Sequence, residues 1–101
     1  MHRLHLVAAD GDFLTVLVPL TDEGVVDLDA PGPWLFKGTW DGTPLVGELR
    51  IEESGAVLCW SDSDYMPIDL LGHSLREGRV VTARSSSEGR IEYMLSNVLR
   101  V

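Results

Sequence analysis

Residues 34–60 read WLFKGTWDGTPLVGELRIEESGAVLCW, and the way this stretch pairs with itself decides the fold. Asp41-Gly42 lies between two strand-like runs, and a two-residue Asp-Gly loop supplies the positive φ that a tight hairpin requires. With that loop, Trp40 faces Thr43, Gly38 faces Leu45, Phe36 faces Gly47 and Trp34 faces Leu49, all on one face. Glu53, Ser54 and Gly55 then read as a three-residue turn, which sets Ile51 opposite Val57 and Leu49 opposite Cys59 and continues the same face. That face is almost wholly apolar. A slip of one residue would turn Lys37, Glu48 and Arg50 into it, because such a slip reverses every side chain. The expected core therefore holds Trp34, Phe36, Leu49, Ile51 and Val57, with Cys59 beside them.

Outward from this meander the same punctuation recurs. Turn residues fall about every ten positions, and the runs between them alternate or are β-branched, as in an antiparallel meander, barrel or sandwich. Leu4 to Ala8 and Phe13 to Val18 form a first hairpin around Asp10-Gly11. Thr15 is the only polar residue between Phe13 and Val18, which predicts a strand covered on both faces, ended by Pro19. A short strand is expected at Val25 to Leu28, before a loop at Asp29-Ala30-Pro31-Gly32-Pro33. Asp69 to Gly78 reads either as a helical turn with Ile68, Leu71 and Leu75 as its stripe or as two turns at Gly72 and Gly78; the turn or a single short helical turn is favoured. Arg79 to Arg84 pairs with Arg90 to Leu95 across SSSEG, and SNVLRV continues that strand after a bulge at Ser96-Asn97. The expected fold is all-β and mainly antiparallel, a small meander barrel or sandwich of about 6–8 strands in one domain over 1–101, with at most one short helix near 69–77.

Sixteen Asp and Glu against eight Lys and Arg give a formal charge of −8. That field repels phosphate backbones and anionic headgroups, so neither nucleic acid nor membrane is expected as a partner, and it would speed encounter with a cationic protein. With 45% apolar and 24% charged residues the chain has an ordinary globular composition. Cys59 is the lone cysteine, which rules out an internal disulfide and fits a reducing compartment. MHRLHLVAADGD carries no long apolar run, so a cytoplasmic location is the expectation.

Candidate chemistry is sparse. Asp10 with Asp12, Asp27 with Asp29 and Asp62 with Asp64 are Asp-x-Asp pairs that could share a hard cation, but Asx-turn bonding to the backbone explains them as well. The third pair fails as an EF-hand loop, because Met66, Pro67 and His73 stand where a third ligand, a glycine and a terminal Glu belong. His2 and His5, three apart on a strand, point to opposite faces, and one Cys with scattered His gives no zinc spacing. Neither Cys59 nor the serines at 85–87, with His73 as base, forms a nucleophile motif. No metal, cofactor or catalytic residue is therefore assigned.

The informative feature is the other face of the meander. The register places Leu35 beside Glu48 and Trp60, Lys37 beside Val46, and Arg50 beside Leu58. Apolar Leu35, Val46, Leu58 and Trp60 interleaved with Lys37, Glu48 and Arg50 make a candidate interaction patch, unless the N-terminal hairpin or the 68–75 segment packs over it. The leading expectation is a non-enzymatic interaction domain with a protein partner or a second copy of itself. An acidic inhibitor or immunity-type protein, an adaptor or a self-associating subunit would each fit. Two alternatives stand beside it: a small-ligand barrel lined by Trp34, Phe36 and Trp40, and a cation-dependent enzyme using Asp62, Asp64 and His73.

Overall fold

A computed structural model describes residues 1–30 and 32–101; Pro31, in the middle of the expected 29–33 loop, lies outside the described residues. Eight strands follow one another: β1 (His2–Ala8), β2 (Phe13–Val18), β3 (Trp34–Trp40), β4 (Thr43–Glu52), β5 (Gly55–Cys59), β6 (Tyr65–Pro67), β7 (Val80–Ser85) and β8 (Gly89–Arg100). They form one antiparallel sheet in the order β6-β5-β4-β3-β2-β1-β8-β7. The sheet curls until its two edges meet: Ile68, just past β6, bridges to Ala83 of β7, and the Asp69 amide donates to the Thr82 carbonyl at 2.8 Å. The result is a nearly closed barrel, which removes most of the exposed sheet edge. None of the described residues forms a helix that is long and apolar enough to cross a membrane.

Curling this tightly brings backbone close to backbone on the inner side. A Cβ at Gly38 would run into the Phe13 carbonyl, and one at Gly47 into the Cys59 carbonyl, so glycine at these two inward positions lets the strands bend together. The interior is filled by Leu4, Leu6, Leu14, Val16, Val18, Phe36, Leu49, Leu58, Leu70, Val81, Tyr93 and Leu95, all essentially inaccessible. Trp34 is buried among them and Trp40 packs against the cluster from its margin, so the aromatic side chains expected to line a ligand chamber are themselves part of the filling. Burial pushes the Tyr93 phenol up to about 12, with the carboxylates of Asp12, Asp10 and Glu88 adding to the shift.

The β3–β4 register is the one the Asp41-Gly42 loop predicts, from Trp34 opposite Leu49 to Trp40 opposite Thr43. Asp41 (φ 49°) and Gly42 (φ 77°) both adopt the left-handed conformation of a two-residue hairpin loop. The β4–β5 turn differs by one residue. Its loop is Glu53-Ser54, with Gly55 already paired to Glu52, so Ile51 faces Ala56 and Leu49 faces Leu58. That shift turns β5 over relative to the expected pairing. Leu58 enters the core, Cys59 stands opposite Glu48, and Ile51, near the turn, is 39% exposed. Leu58 is a larger apolar side chain than the Cys59 that the three-residue turn would have put in its place, which favours the observed pairing. Val57, opposite Arg50 and Pro67, is buried as well, although it points away from the interior.

Other elements meet expectation to different degrees. Val81 pairs with Tyr93 and Ala83 with Ile91, and β8 carries its irregularity at Ser96, whose hydroxyl donates to the His5 carbonyl at 3.1 Å. The expected strand at Val25 to Leu28 is reduced to a single bridge between Leu20 and Val26. Residues 69–78 take the turn alternative, with Gly72 and Gly78 at positive φ and Leu70 and Leu75 buried. This segment is tied to the 19–30 loop, since the Leu75 amide donates to the Gly24 carbonyl and the Ser74 hydroxyl to that of Glu23.

Candidate functional site

Alternation along β1 to β4 assigns each side chain to one side of the barrel wall. Leu4 and Leu6, Leu14, Val16 and Val18, Trp34 and Phe36, and Leu49 point in, so Arg3 and His5, Phe13, Thr15 and Leu17, Leu35 and Lys37, and Val46 and Glu48 point out. Pairing then sets the outward residues in rows. One row runs Val46, Lys37, Thr15, His5, Asn97 across β4, β3, β2, β1 and β8. In the next, Leu35 is paired with Glu48 and Arg3 with both Leu17 and Leu99, while Val16 opposite Phe36 brings Leu17 level with Leu35. The second row therefore reads Glu48, Leu35, Leu17, Arg3, Leu99.

Apart from Glu48, these rows line an open groove of about 740 Å³, bounded also by Phe36 and Val101. Leu35 is 61% exposed and Val46 72%. Val80, Met94 and Leu99, further large apolar residues left in solvent, extend the same outer face over β7 and β8. His5 is fixed by Thr15 Oγ1 at 3.1 Å from its Nδ1 and by its ring against Phe13, with centroids 5.5 Å apart. Although acidic residues outnumber basic ones twofold in the chain, no Asp or Glu is among the described residues that line this groove, whereas Arg3 and Lys37 are. Glu48 borders it, held by a 3.1 Å bond from Arg50 Nε to its Oε2.

Of the residues expected to form the patch, Leu35, Lys37, Val46, Glu48 and Arg50 share the outer side. Leu58 and Trp60 do not. The β4–β5 shift buries Leu58 and sends Trp60 to the inner side, half-buried and edge-on to Phe36 with centroids 6.4 Å apart. The sequence reading missed Arg3, Leu17 and Leu99, which complete the groove from β1, β2 and β8. Their signal was the two-sided apolar character of β2. That pattern predicts cover on both faces, but the outer residues Phe13, Thr15 and Leu17 are only half-buried, and Thr15 and Leu17 open on the groove.

Elsewhere the polar clusters serve the fold. Asp12 ties the first hairpin to the β3–β4 turn: its carboxylate accepts from the Asp41 amide (2.9 Å), the Gly42 amide (3.1 Å) and the Thr39 hydroxyl (2.9 Å). These bonds, that from Gly42 first, hold its carboxyl below the usual carboxylate range against the opposing effect of desolvation. Asp10 and Asp27 each accept from the amide two residues on, at 3.0 Å, and so make Asx turns. Asp64 accepts from Ser61 Oγ at 2.8 Å. Among the described residues, the group of potential metal ligands that converges is Asp10, Asp12 and Asp41, with ligand atoms within 4.8 Å of one another; Asp62, Asp64 and His73 form no such group. His73 Nε2 instead lies 3.1 Å from the Asp69 carbonyl oxygen. No known protein family, curated protein or solved structure matches the chain.

Proposed function

We propose that this chain is a non-enzymatic protein-interaction domain that binds through the outer face of β8, β1, β2, β3 and β4. The observation that carries this reading is the contiguity of Leu17, Leu35, Val46 and Leu99 around Arg3 and Lys37 in one open groove. Apolar side chains scattered singly over a surface need no explanation, but adjacent rows of them bordered by charge are the composition of an interface, with an apolar centre and a polar margin. Covering such rows releases roughly 25 cal/mol for each Å² of apolar surface removed from water, which a partner collects and the isolated chain forgoes. The remainder of the acidic surface keeps the domain dissolved and repels anionic polymers at long range.

A photoreactive residue placed at Val46 tests the reading in the native host, with the same residue at exposed Glu77 as the control. The proposal expects discrete protein adducts from position 46 and none from position 77. Equal labelling from both positions, or none from either, contradicts it.

A further inference from the structure

We infer that the partner on this face is a second copy of the chain, docked about a two-fold axis that runs along the strands between β2 and β3. This rests on the reading of the outer face as an interface and names its occupant. The pairing order of the strands has the symmetry that such an axis needs. In the sequence β6-β5-β4-β3-β2-β1-β8-β7, the β3/β2 boundary is the midpoint, so such an axis sets β3 of one copy over β2 of the other, β4 over β1 and β5 over β8.

Applied to the row Cys59, Glu48, Leu35, Leu17, Arg3, Leu99, the operation is self-complementary. Leu35 meets Leu17 twice at the axis, Glu48 meets Arg3 twice on the flanks, and Leu99 meets Cys59. In the adjoining row Val46 meets His5 and Lys37 meets Thr15, so no residue of either row sits directly opposite a like charge, and the two Lys37 side chains lie diagonally across the axis. Only one Glu48 oxygen is engaged by Arg50, and Arg3 forms no ion pair among the described residues, so both groups retain capacity for the second copy. Leu17 and Leu35 stand on the groove wall on either side of the axis, and the flanking Glu48 and Arg3 pair is made by long, flexible side chains. Dimers of small proteins bury about 600–800 Å² per copy, roughly a tenth of a surface such as this one of 6124 Å².

Two substitutions at exposed positions separate this arrangement from any other. In Arg3→Glu every flanking pair becomes Glu against Glu, and in Glu48→Arg every one becomes Arg against Arg. In a mixture of the two variants both flanking pairs are again of opposite sign. Sedimentation equilibrium should show a wild-type dimer, dimerisation weakened about tenfold or more in each single variant, and recovery in the equimolar mixture. Circular dichroism melts of each variant establish that both remain folded. A wild-type chain that stays monomeric at roughly millimolar concentration, single variants that dimerise like wild type, or a mixture no stronger than its components would each overturn the proposal. A monomer that still gives adducts to a different protein from position 46 would remove the second copy while leaving the interaction face in place. A monomer without adducts would remove both.

Discussion

Leu35 and Phe36 are neighbours in sequence and both strongly apolar, yet Phe36 is 2% exposed and Leu35 61%. The same contrast runs along β1, β2, β3 and β4, where inward Leu4, Leu14, Phe36 and Leu49 are enclosed and outward Arg3, Leu17, Leu35 and Val46 face the groove. Curvature produces the difference. A sheet rolled into a barrel encloses only its inner side, and the outer side is buried only where another segment or another molecule crosses it. Apolar residues on the inner side therefore report on folding, whereas those on the outer side report on what the domain meets.

If that division is right, substitutions on the two sides should separate in magnitude as well as kind. Leu58→Ala should have the largest effect, about 2–5 kcal/mol in chemical denaturation, since it empties a fully buried site. Cys59→Ala, one residue on and facing outward, should cost under about 1 kcal/mol. The reverse order would restore the three-residue turn and break the inner-outer assignment of β5. Trp60→Ala comes next, at about 2 kcal/mol in the same assay, because its indole is only partly enclosed where it packs edge-on against Phe36.

Asp12 sharpens the comparison at the hairpin ends, where the barrel wall is held by polar bonds instead of packing. Because its folded carboxyl is held below the usual range, its contribution is present above the unfolded carboxylate value and is lost as pH falls through the lower, folded one. The stability difference between wild type and Asp12→Ala, followed by denaturation against pH, should thus be constant near neutrality and shrink only in strong acid. A difference that vanishes already near neutral pH would contradict the bonding described at the β3–β4 turn. The smallest effect on folding belongs to the outer face: Leu35→Ser and Val46→Ser should each change stability by less than about 0.5 kcal/mol.

How far the sequence reached depends on how much each local signal constrained. Asp41-Gly42 fixes its register because two adjacent residues must both adopt positive φ, and few other residue pairs do so as readily. Gly55 also adopts positive φ, at 127°, but it does so as a paired strand residue, so a glycine alone did not distinguish a two-residue from a three-residue loop. That one residue moved Leu58 and Trp60 off the expected patch and Cys59 out of the expected core. The groove itself was half legible: Leu35, Lys37, Val46 and Glu48 follow from the meander, whereas Arg3, Leu17 and Leu99 depend on β1 lying between β2 and β8. That is a contact between the two ends of the chain, and no local pattern encodes it.

The most direct test of the outer face as an interface uses a photoreactive residue at Leu99, within the groove but on a different strand from the substitutions. Adduct yield in the host is compared between the otherwise wild-type chain and one carrying Leu35→Ser with Val46→Ser, alongside thermal unfolding of both. The adduct should be lost while the melting temperature stays within about 8 °C. An adduct that survives both substitutions, or a much larger fall in melting temperature, would contradict it.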